Sequence, residues 1–156
     1  MRFTHYTALV VLILDQISKF WVVHLLELDR KRVIEVLPPW LDFRIAWNRG
    51  VNFGLFSNSA EFGRWILIAL ALGISTWVWL WVRRAAHRPI VHVSAGLLIG
   101  GALGNVVDRL IYGAVADFLN VGFPGFDNPY SFNVADIAIF VGAAGLVLFT
   151  GREKTP

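Results

Sequence analysis

Four long apolar stretches dominate the pattern of hydrophobic and polar positions along this chain. Polar segments, rich in glycine, proline or asparagine, separate them. A helix needs about 20 apolar residues to cross a bilayer. The pattern therefore predicts an all-α integral membrane protein with four transmembrane helices. We place them at about residues 6–26, 65–82, 90–107 and 132–150.

The first loop between these helices, residues 27–62, has a different periodicity. From Leu41 to Asn48 it reads LDFRIAWN, in which apolar and polar residues alternate. A period of two is typical of a strand with one apolar face. Residues 33–37 form a second candidate strand, and Pro38-Pro39 interrupts the chain between the two. The loop is therefore predicted to form a small β-sheet at the membrane surface.

Composition supports a membrane protein and excludes several kinds of chemistry. Of the 156 residues, 56% are hydrophobic and 16% are charged, whereas soluble domains carry about 25% charged residues. The length indicates one domain, residues 1–156. Cysteine is absent and the four histidines lack the spacing of a metal site, so we expect no thiol chemistry, metal or cofactor. The net charge of +3 without a long basic patch argues against nucleic acid as a partner.

The distribution of basic residues predicts the orientation. Four spans place both termini on one side, together with the short loop 83–89. Arginine and lysine on that side are concentrated close to the span ends, whereas on the other side they are spread over loops 27–62 and 110–131. Because the positive-inside rule weights short loops, both termini are predicted to be cytoplasmic. The two long loops then lie outside the membrane.

Glycine and alanine recur at helical spacing in the last two spans. Gly96, Gly100 and Gly104 are each four residues apart, and small residues also recur between Ala135 and Gly145. Small residues on one face let helix backbones pack closely in a membrane. These stripes therefore predict tight packing between helices.

Ionisable residues inside the spans invite a functional interpretation. Asp15 and Lys19 are four residues apart, so they share a helix face and can form an ion pair. Asp108 lies at the outer end of the third span, between Asn105 and Arg109 in sequence. Ionisable groups within a membrane are costly and often mark function. The alternatives are a structural ion pair and a network that anchors the outer loop.

The fourth span opens with the sequence FNVAD. Asn133 can cap the helix, and Asp136 then lies in its first turn, where the helix dipole favours an acid. Asp117, just beyond the third span, is on the same outer side. Two carboxylates at one membrane depth are the minimum equipment of an aspartic protease. A helix cap alone remains the alternative for Asp136.

Two other classes of function use the same residues. The intramembrane acids Asp15, Asp108 and Asp136, together with Lys19, could line the proton path of a small transporter or channel. A purely structural membrane subunit is the third alternative. Transporters often contain inverted repeats, and the two halves of this chain show none.

Five short motifs occur in one order along the chain: DQISK, NRGVNFG, GGALGNVVDR, VADF and FNVAD. In this order and on these spans and loops, they make the chain resemble the lipoprotein signal peptidases (signal peptidase II). The resemblance implies four transmembrane helices with a small extracytoplasmic β-sheet in the first outer loop. It also implies an aspartic endopeptidase of the bacterial inner membrane. Such an enzyme removes the signal peptide of prolipoproteins by cleavage before a diacylglyceryl-modified cysteine.

The same resemblance assigns residues. Its catalytic dyad falls on Asp117 and Asp136, and it implies no cofactor. Asn52 stands where the family motif NxGxAF has alanine, a change that bears on how the first loop packs against substrate. Loop 27–62, with Gly50 and Gly54, is a candidate lid, and we expect a monomer surrounded by membrane lipids. The family's supporting polar residues fall on Asp15, Lys19, Asn48, Asn105, Asp108, Arg109 and Asn133.

Overall fold

A computed structural model describes residues 1–50, 59–84, 88–126 and 128–150. Asn52 and Gly54, named above, lie outside these residues. Within these ranges the chain forms five α-helices and three strands, and the first helix continues as a π-helical segment, Phe20–Leu25. The elements are α1 (Arg2–Lys19), α2 (Leu28–Lys31), β1 (Val33–Leu37), β2 (Leu41–Asn48), α3 (Ser59–Arg83), α4 (Pro89–Tyr112), β3 (Val115–Val121) and α5 (Val134–Thr150).

Three of the described helices are long and apolar enough to cross a membrane. They are Arg2–Leu25, Glu61–Arg83 and Pro89–Tyr112. The first two begin several residues before the predicted starts at 6 and 65. The fourth predicted span corresponds to α5, which is apolar but has 17 residues, fewer than the roughly 20 of a typical span. The assignment of α5 as a fourth span stays a prediction.

Helix α4 packs between α1 and α5, and the small residues lie at these contacts, as predicted. A side chain on Gly100 would place its first carbon 2.5 Å from the carbonyl oxygen of Ala8 on α1. A side chain on Gly142 of α5 would lie 2.5 Å from the backbone nitrogen of Leu98 on α4. Only glycine allows backbones to approach so closely. The small residues therefore allow the backbones of α1, α4 and α5 to pack in direct contact.

The three strands form one antiparallel sheet in the order β1-β2-β3. Its first two strands have the predicted bounds. The third strand, β3, comes from loop 110–131 and was not predicted. The reason is that Val115 to Phe118 are all buried, so the segment lacks the alternation of a half-exposed strand. The predicted sheet of the first loop is therefore completed by a strand of the second.

One face of the sheet packs against helix ends. Phe118 of β3 is buried together with Val22 of the π-helical segment and Leu28 of α2, and its ring meets that of Phe43 on β2 edge-on, with centroids 5.8 Å apart. Val134, the first residue of α5, packs against the same cluster. The sheet therefore lies across the ends of α1 and α5, with β3 beside the start of α5.

Candidate active site

Asp117 is placed by strand pairing and held by two amides. On β3 it lies opposite Ala46 of β2, and its side chain is buried. Asn48, at the end of β2, donates from Nδ2 to Asp117 Oδ2 at 3.0 Å. Asn133 donates from Nδ2 to Asp117 Oδ1 at 2.6 Å. Both carboxylate oxygens thus have a neutral donor.

Asp136 lies in the first turn of α5 and takes part in a reciprocal cap. Asn133 Oδ1 accepts the backbone N–H of Asp136 at 2.9 Å, and Asp136 Oδ2 accepts the backbone N–H of Asn133 at 3.2 Å. This exchange has the form of a capping box, so the predicted cap is present. The cap leaves Asp136 Oδ1 for another partner, Asn105 Nδ2 at 2.9 Å. Capping and participation in a site are therefore compatible.

The two carboxylates belong to one amide network. Asn133 donates its side-chain amide to Asp117 and its backbone N–H to Asp136. The same Nδ2 lies 3.3 Å from Asn105 Oδ1, and Asn105 in turn donates to Asp136. The structure thus brings together two acids that are 19 positions apart on different elements. Their convergence follows from β3 running beside the N-terminus of α5.

The environment of Asp117 favours its protonated form. Burial raises the pKa of the Asp117 carboxyl to about 6, and the negative charge of Asp136 acts in the same direction. The hydrogen bonds from Asn48 and Asn133 oppose this rise, as does the charge of Lys19. Since an ordinary aspartate titrates near 3.8, Asp117 can hold a proton at pH values where most carboxyls are ionised.

A buried ion cluster lies beneath the two acids. Lys19 Nζ is 2.8 Å from Asp15 Oδ2 and 2.8 Å from Asp108 Oδ2, and all three side chains are buried. Lys19 also donates to Asn105 Oδ1 at 3.4 Å. The predicted Asp15–Lys19 pair is therefore present and is extended by Asp108. The cluster joins α1 to α4.

Each acid of this cluster also holds the backbone next to one acid of the first pair. Asp15 Oδ1 accepts the N–H of Ala135 at 3.0 Å, and Ala135 precedes Asp136. Asp108 Oδ2 accepts the N–H of Ala116 at 3.1 Å, and Ala116 precedes Asp117. Because one lysine binds both Asp15 and Asp108, the cluster fixes the starts of two different elements relative to one another.

Gln16 belongs to the cluster although sequence reasoning did not include it. Its Nε2 donates to Asp108 Oδ1 at 2.9 Å and to Asp15 Oδ2 at 3.1 Å, and it lies 3.4 Å from the carbonyl oxygen of Gly104. The available signal was its position within an apolar run, directly after Asp15 and three residues before Lys19. Those spacings, four and three residues before Lys19, place both Asp15 and Gln16 next to Lys19 on the helix surface.

Arg109 occupies the end of a groove on the helical side of the site. Its Nη1 donates to the carbonyl oxygen of Asn105 at 3.3 Å. Together with Asn105 it closes one end of a groove of about 360 Å³ between α3, α4 and α5. Leu70 and Ile74 of α3 and Ile139 of α5 provide the apolar walls. A polar end and apolar walls suit a ligand that is largely apolar.

All nine predicted site residues are therefore found in one connected region. Asp117, Asp136, Asn48, Asn105 and Asn133 form the amide-held part, and the remaining four lie beneath or beside it, as described above. Within the described residues, no group of three or more histidine, aspartate or glutamate side chains could hold a metal ion. Two neighbouring carboxyl groups in different environments are able to accept and donate protons.

Comparison with known proteins gives a consistent result. The model of the family described as Signal peptidase (SPase) II matches residues 7–151. The lipoprotein signal peptidase of Methylobacterium sp. (strain 4-46) is 42% identical over 144 residues, covering 92% of this chain and 86% of the relative. That of Caulobacter vibrioides (strain ATCC 19089 / CIP 103742 / CB 15) is 42% identical over 142 residues, covering 90% and 82%.

Solved structures show the same fold. One bacterial membrane enzyme superposes with a TM-score of 0.77 at 26% identity, covering 97% of this chain and 94% of its own. A second, also a bacterial membrane enzyme, superposes with a TM-score of 0.73 at 23% identity, covering 98% and 93%. Since the family match extends over nearly the whole sequence, this chain belongs to the signal peptidase II family.

Proposed function

We propose that this chain is an aspartic endopeptidase that removes signal peptides from prolipoproteins. Cleavage occurs before a diacylglyceryl-modified cysteine, with Asp117 and Asp136 as the catalytic dyad and water as the nucleophile. The family to which the chain belongs consists of signal peptidases, and its curated relatives are lipoprotein signal peptidases. The observation that carries the proposal is the convergence of two carboxylates on one amide network.

In the proposed mechanism the two acids have different roles. Asp117, whose pKa is raised to about 6, begins protonated. Asp136 begins ionised, because the N-terminus of α5 and two hydrogen-bond donors favour its charge. Close carboxylates rarely ionise together, so one proton is shared by the dyad. The asymmetry of the two environments thus assigns the acid and the base.

The reaction then follows from these protonation states. Asp136 removes a proton from the water as the water oxygen bonds to the scissile carbonyl carbon. Asp117 donates its proton toward the developing oxyanion. When the C–N bond breaks, the proton now on Asp136 passes to the leaving amine, and one hydroxyl group of the tetrahedral intermediate returns its proton to Asp117 as the new carboxyl group forms. Each acid–base step of this kind contributes roughly 10²- to 10⁴-fold to the rate.

The remaining polar residues orient the dyad and the substrate. Asn48, Asn105 and Asn133 hold the carboxylates, while the cluster around Lys19 fixes the backbone beside each of them. The groove that ends at Arg109 receives the apolar part of the signal peptide. A substrate held there approaches the dyad laterally from the membrane.

The proposal includes a topology. Four spans, with α5 as the fourth, place both termini in the cytoplasm and the dyad toward the outer face of the bacterial inner membrane. The enzyme acts as a monomer among membrane lipids. Three long apolar helices and a short one support this arrangement. The substrate's lipid-modified cysteine then meets the dyad at the membrane surface.

The test uses purified protein in vesicles with a diacylglyceryl-modified prolipoprotein peptide. Asp117→Asn and Asp136→Asn should each reduce cleavage by roughly 10²- to 10⁴-fold. Asp42→Asn, which changes an aspartate at the other end of the sheet, is the matched control and should keep activity. Full cleavage by either dyad variant would contradict the proposal. Proton flux across the vesicles without peptide cleavage would favour a transporter instead.

A further inference from the structure

The two turns at the far end of the sheet contain no charged residue. Residues 36–41 read VLPPWL, and residues 121–126 read VGFPGF. Trp40 is 49% exposed, Phe123 56% and Phe126 59%, and Leu37 is exposed beside them. Surface turns are usually rich in polar residues, and a contiguous exposed apolar patch marks an interaction site. We call these four side chains the aromatic tip.

The aromatic tip is an ordered surface. The rings of Trp40 and Phe123 meet edge-on with centroids 6.0 Å apart. The backbone N–H of Gly122 donates to the carbonyl oxygen of Trp40 at 3.1 Å, and that of Phe126 donates to Phe123 at 3.0 Å. These contacts fix one turn against the other. The rings are therefore held outward by the backbone.

The tip lies far from the dyad along the sheet. Strands β2 and β3 pair from Leu41–Val121 at the tip to Asn48–Val115 beside Asp117. Val121 is four residues from Asp117 along β3, which at about 3.3 Å per residue is roughly 13 Å. Because the sheet packs its face across the ends of α1 and α5, it lies at the same membrane boundary as those helix ends. Beyond the edge of a helical bundle in a membrane lies the surface of the lipid bilayer.

We infer that the aromatic tip inserts into the interfacial layer of the bilayer, where its ligand is the headgroup and upper acyl region of the lipids. Tryptophan and other aromatic side chains are enriched at this depth because it accepts an apolar ring with a polar edge. The charge-free turns contrast with α2, whose Asp29, Arg30 and Lys31 are exposed. Of these two surface segments, the tip has the composition of a membrane contact and α2 does not.

This contact would give the sheet a second point of attachment. Its near end is fixed on the helices through Phe118, and the same sheet carries Asn48 and Asp117. With the tip in the lipid surface, tilting of the sheet away from the membrane is opposed at both ends. The tip therefore sets the height of the dyad's strand relative to the bilayer.

The absence of cysteine from the chain makes a direct test possible. Phe123→Cys and Phe126→Cys are labelled with a bimane fluorophore, with Arg30→Cys on α2 as the matched control. Each is placed in vesicles of phosphatidylcholine and phosphatidylglycerol that contain no other protein. Lipids spin-labelled near the headgroup should quench the two tip labels several-fold more than the Arg30 label. Aqueous iodide should show the reverse order.

Equal quenching of all three labels by iodide would overturn the inference. That result would place the tip in water rather than in the lipid surface. A second measurement covers the case in which a label disturbs the turns. Trp40→Ser combined with Phe126→Ser should reduce peptide cleavage several-fold in vesicles and leave it unchanged in detergent micelles. An equal loss in both would show a folding defect and contradict lipid anchoring.

Discussion

Two pairs of aspartates lie in one region of this protein and are held in different ways. Asp15 and Asp108 both bind Lys19 Nζ at 2.8 Å. Asp117 and Asp136 instead accept hydrogen bonds from the side-chain amides of asparagines and from backbone N–H groups. In the part of the chain that the structure describes, neither forms a salt bridge. The first pair faces the positive charge of Lys19, whereas the second pair faces the dipoles of neutral amide and backbone N–H groups.

The difference determines what each pair can do. A buried charge needs either an opposite charge or a full set of hydrogen bonds. Lys19 supplies the opposite charge for Asp15 and Asp108, and the three side chains form a buried ion cluster that joins α1 to α4. Amides only partly offset the burial of Asp117 beside Asp136, so a proton supplies the rest, and its pKa rises to about 6. In the proposed function, the hydrogen-bonding or ionic partner of each aspartate, rather than the residue type, distinguishes the structural pair from the catalytic pair.

The largest expected effect separates activity from stability. Asp117→Asn and Asp136→Asn should lose roughly 10²- to 10⁴-fold in cleavage while their thermal unfolding midpoints in detergent stay equal to wild type or rise, because a poorly compensated charge is removed. Asp15→Asn is the matched variant of the other pair and should lower the midpoint. If the dyad variants unfold as readily as Asp15→Asn, the two pairs do not differ as described.

Removal of the shared cation should destabilise the fold. Lys19→Met leaves the buried Asp15 and Asp108 without a counter-charge, which costs about 3–5 kcal/mol when one partner of a buried ion pair is lost. Thermal and denaturant unfolding in detergent measure this change, with the exposed Lys31→Met as control. Adding Asp15→Asn and Asp108→Asn to Lys19→Met should restore part of the stability. No restoration would mean that the cost arises from packing.

Local patterns predicted the elements that obey a simple periodicity. The alternation in LDFRIAWN gave β2 with its observed bounds, and apolar runs located the helices. Strand β3 was not predicted, because its first four residues are all buried and its sequence therefore lacks the alternation of a half-exposed strand. The chain reverses direction between α4 and β3 at Gly113, which adopts φ +73° directly after α4. That turn brings Ala116 back to Asp108, and no sequence spacing indicates such a contact.

The candidate site was predictable to the extent that its residues were ionisable or matched a motif. Asp15 and Lys19 could be paired by their spacing. Gln16 was not predicted as part of the site, because a neutral amide in a helix does not by itself indicate function. Asn133 and Asp136 allowed either a cap or a site, and the structure contains the cap together with a free oxygen that meets Asn105. Such a double role becomes visible only when both carboxylate oxygens are followed to their partners.

Gln16 offers a smaller test of the scaffold. Gln16→Met keeps the length of the side chain and removes the hydrogen bonds to Asp108 Oδ1 and Asp15 Oδ2. Gln16→Met leaves neither buried carboxylate without its lysine counter-charge, so the loss of stability should be about the 1.5–3 kcal/mol of a single hydrogen bond to a charged group, less than for Lys19→Met. Unfolding in detergent measures it, with Gln16→Glu as a harsher companion because it adds a third negative charge. A neutral Gln16→Met would restrict the scaffold to the three ionic residues.

The smallest expected effect concerns the dyad's proton. Asn48→Ala removes a hydrogen bond that lowers the pKa of Asp117, so that pKa should rise above about 6. Asn48 is exposed, so the rise should be roughly half a unit, less than the full worth of a charged hydrogen bond. The pH–rate profile of peptide cleavage in vesicles reports it, because activity falls as pH increases through the pKa of the acid that must be protonated.

The sign of this shift distinguishes the roles of the two acids. In wild type the folded-state pKa of about 6 lies above the ordinary 3.8, so protonation of Asp117 stabilises the fold as pH falls from 6 toward 3.8. In Asn48→Ala the pH range over which protonation of Asp117 stabilises the fold should extend to higher pH. The basic limb of the rate profile should move to higher pH with it. Asn128→Ala, at the far end of the sheet, should shift neither. If the acidic limb moves to higher pH instead and the basic limb stays in place, Asp117 acts as the base, and the proposed division between the two acids is reversed.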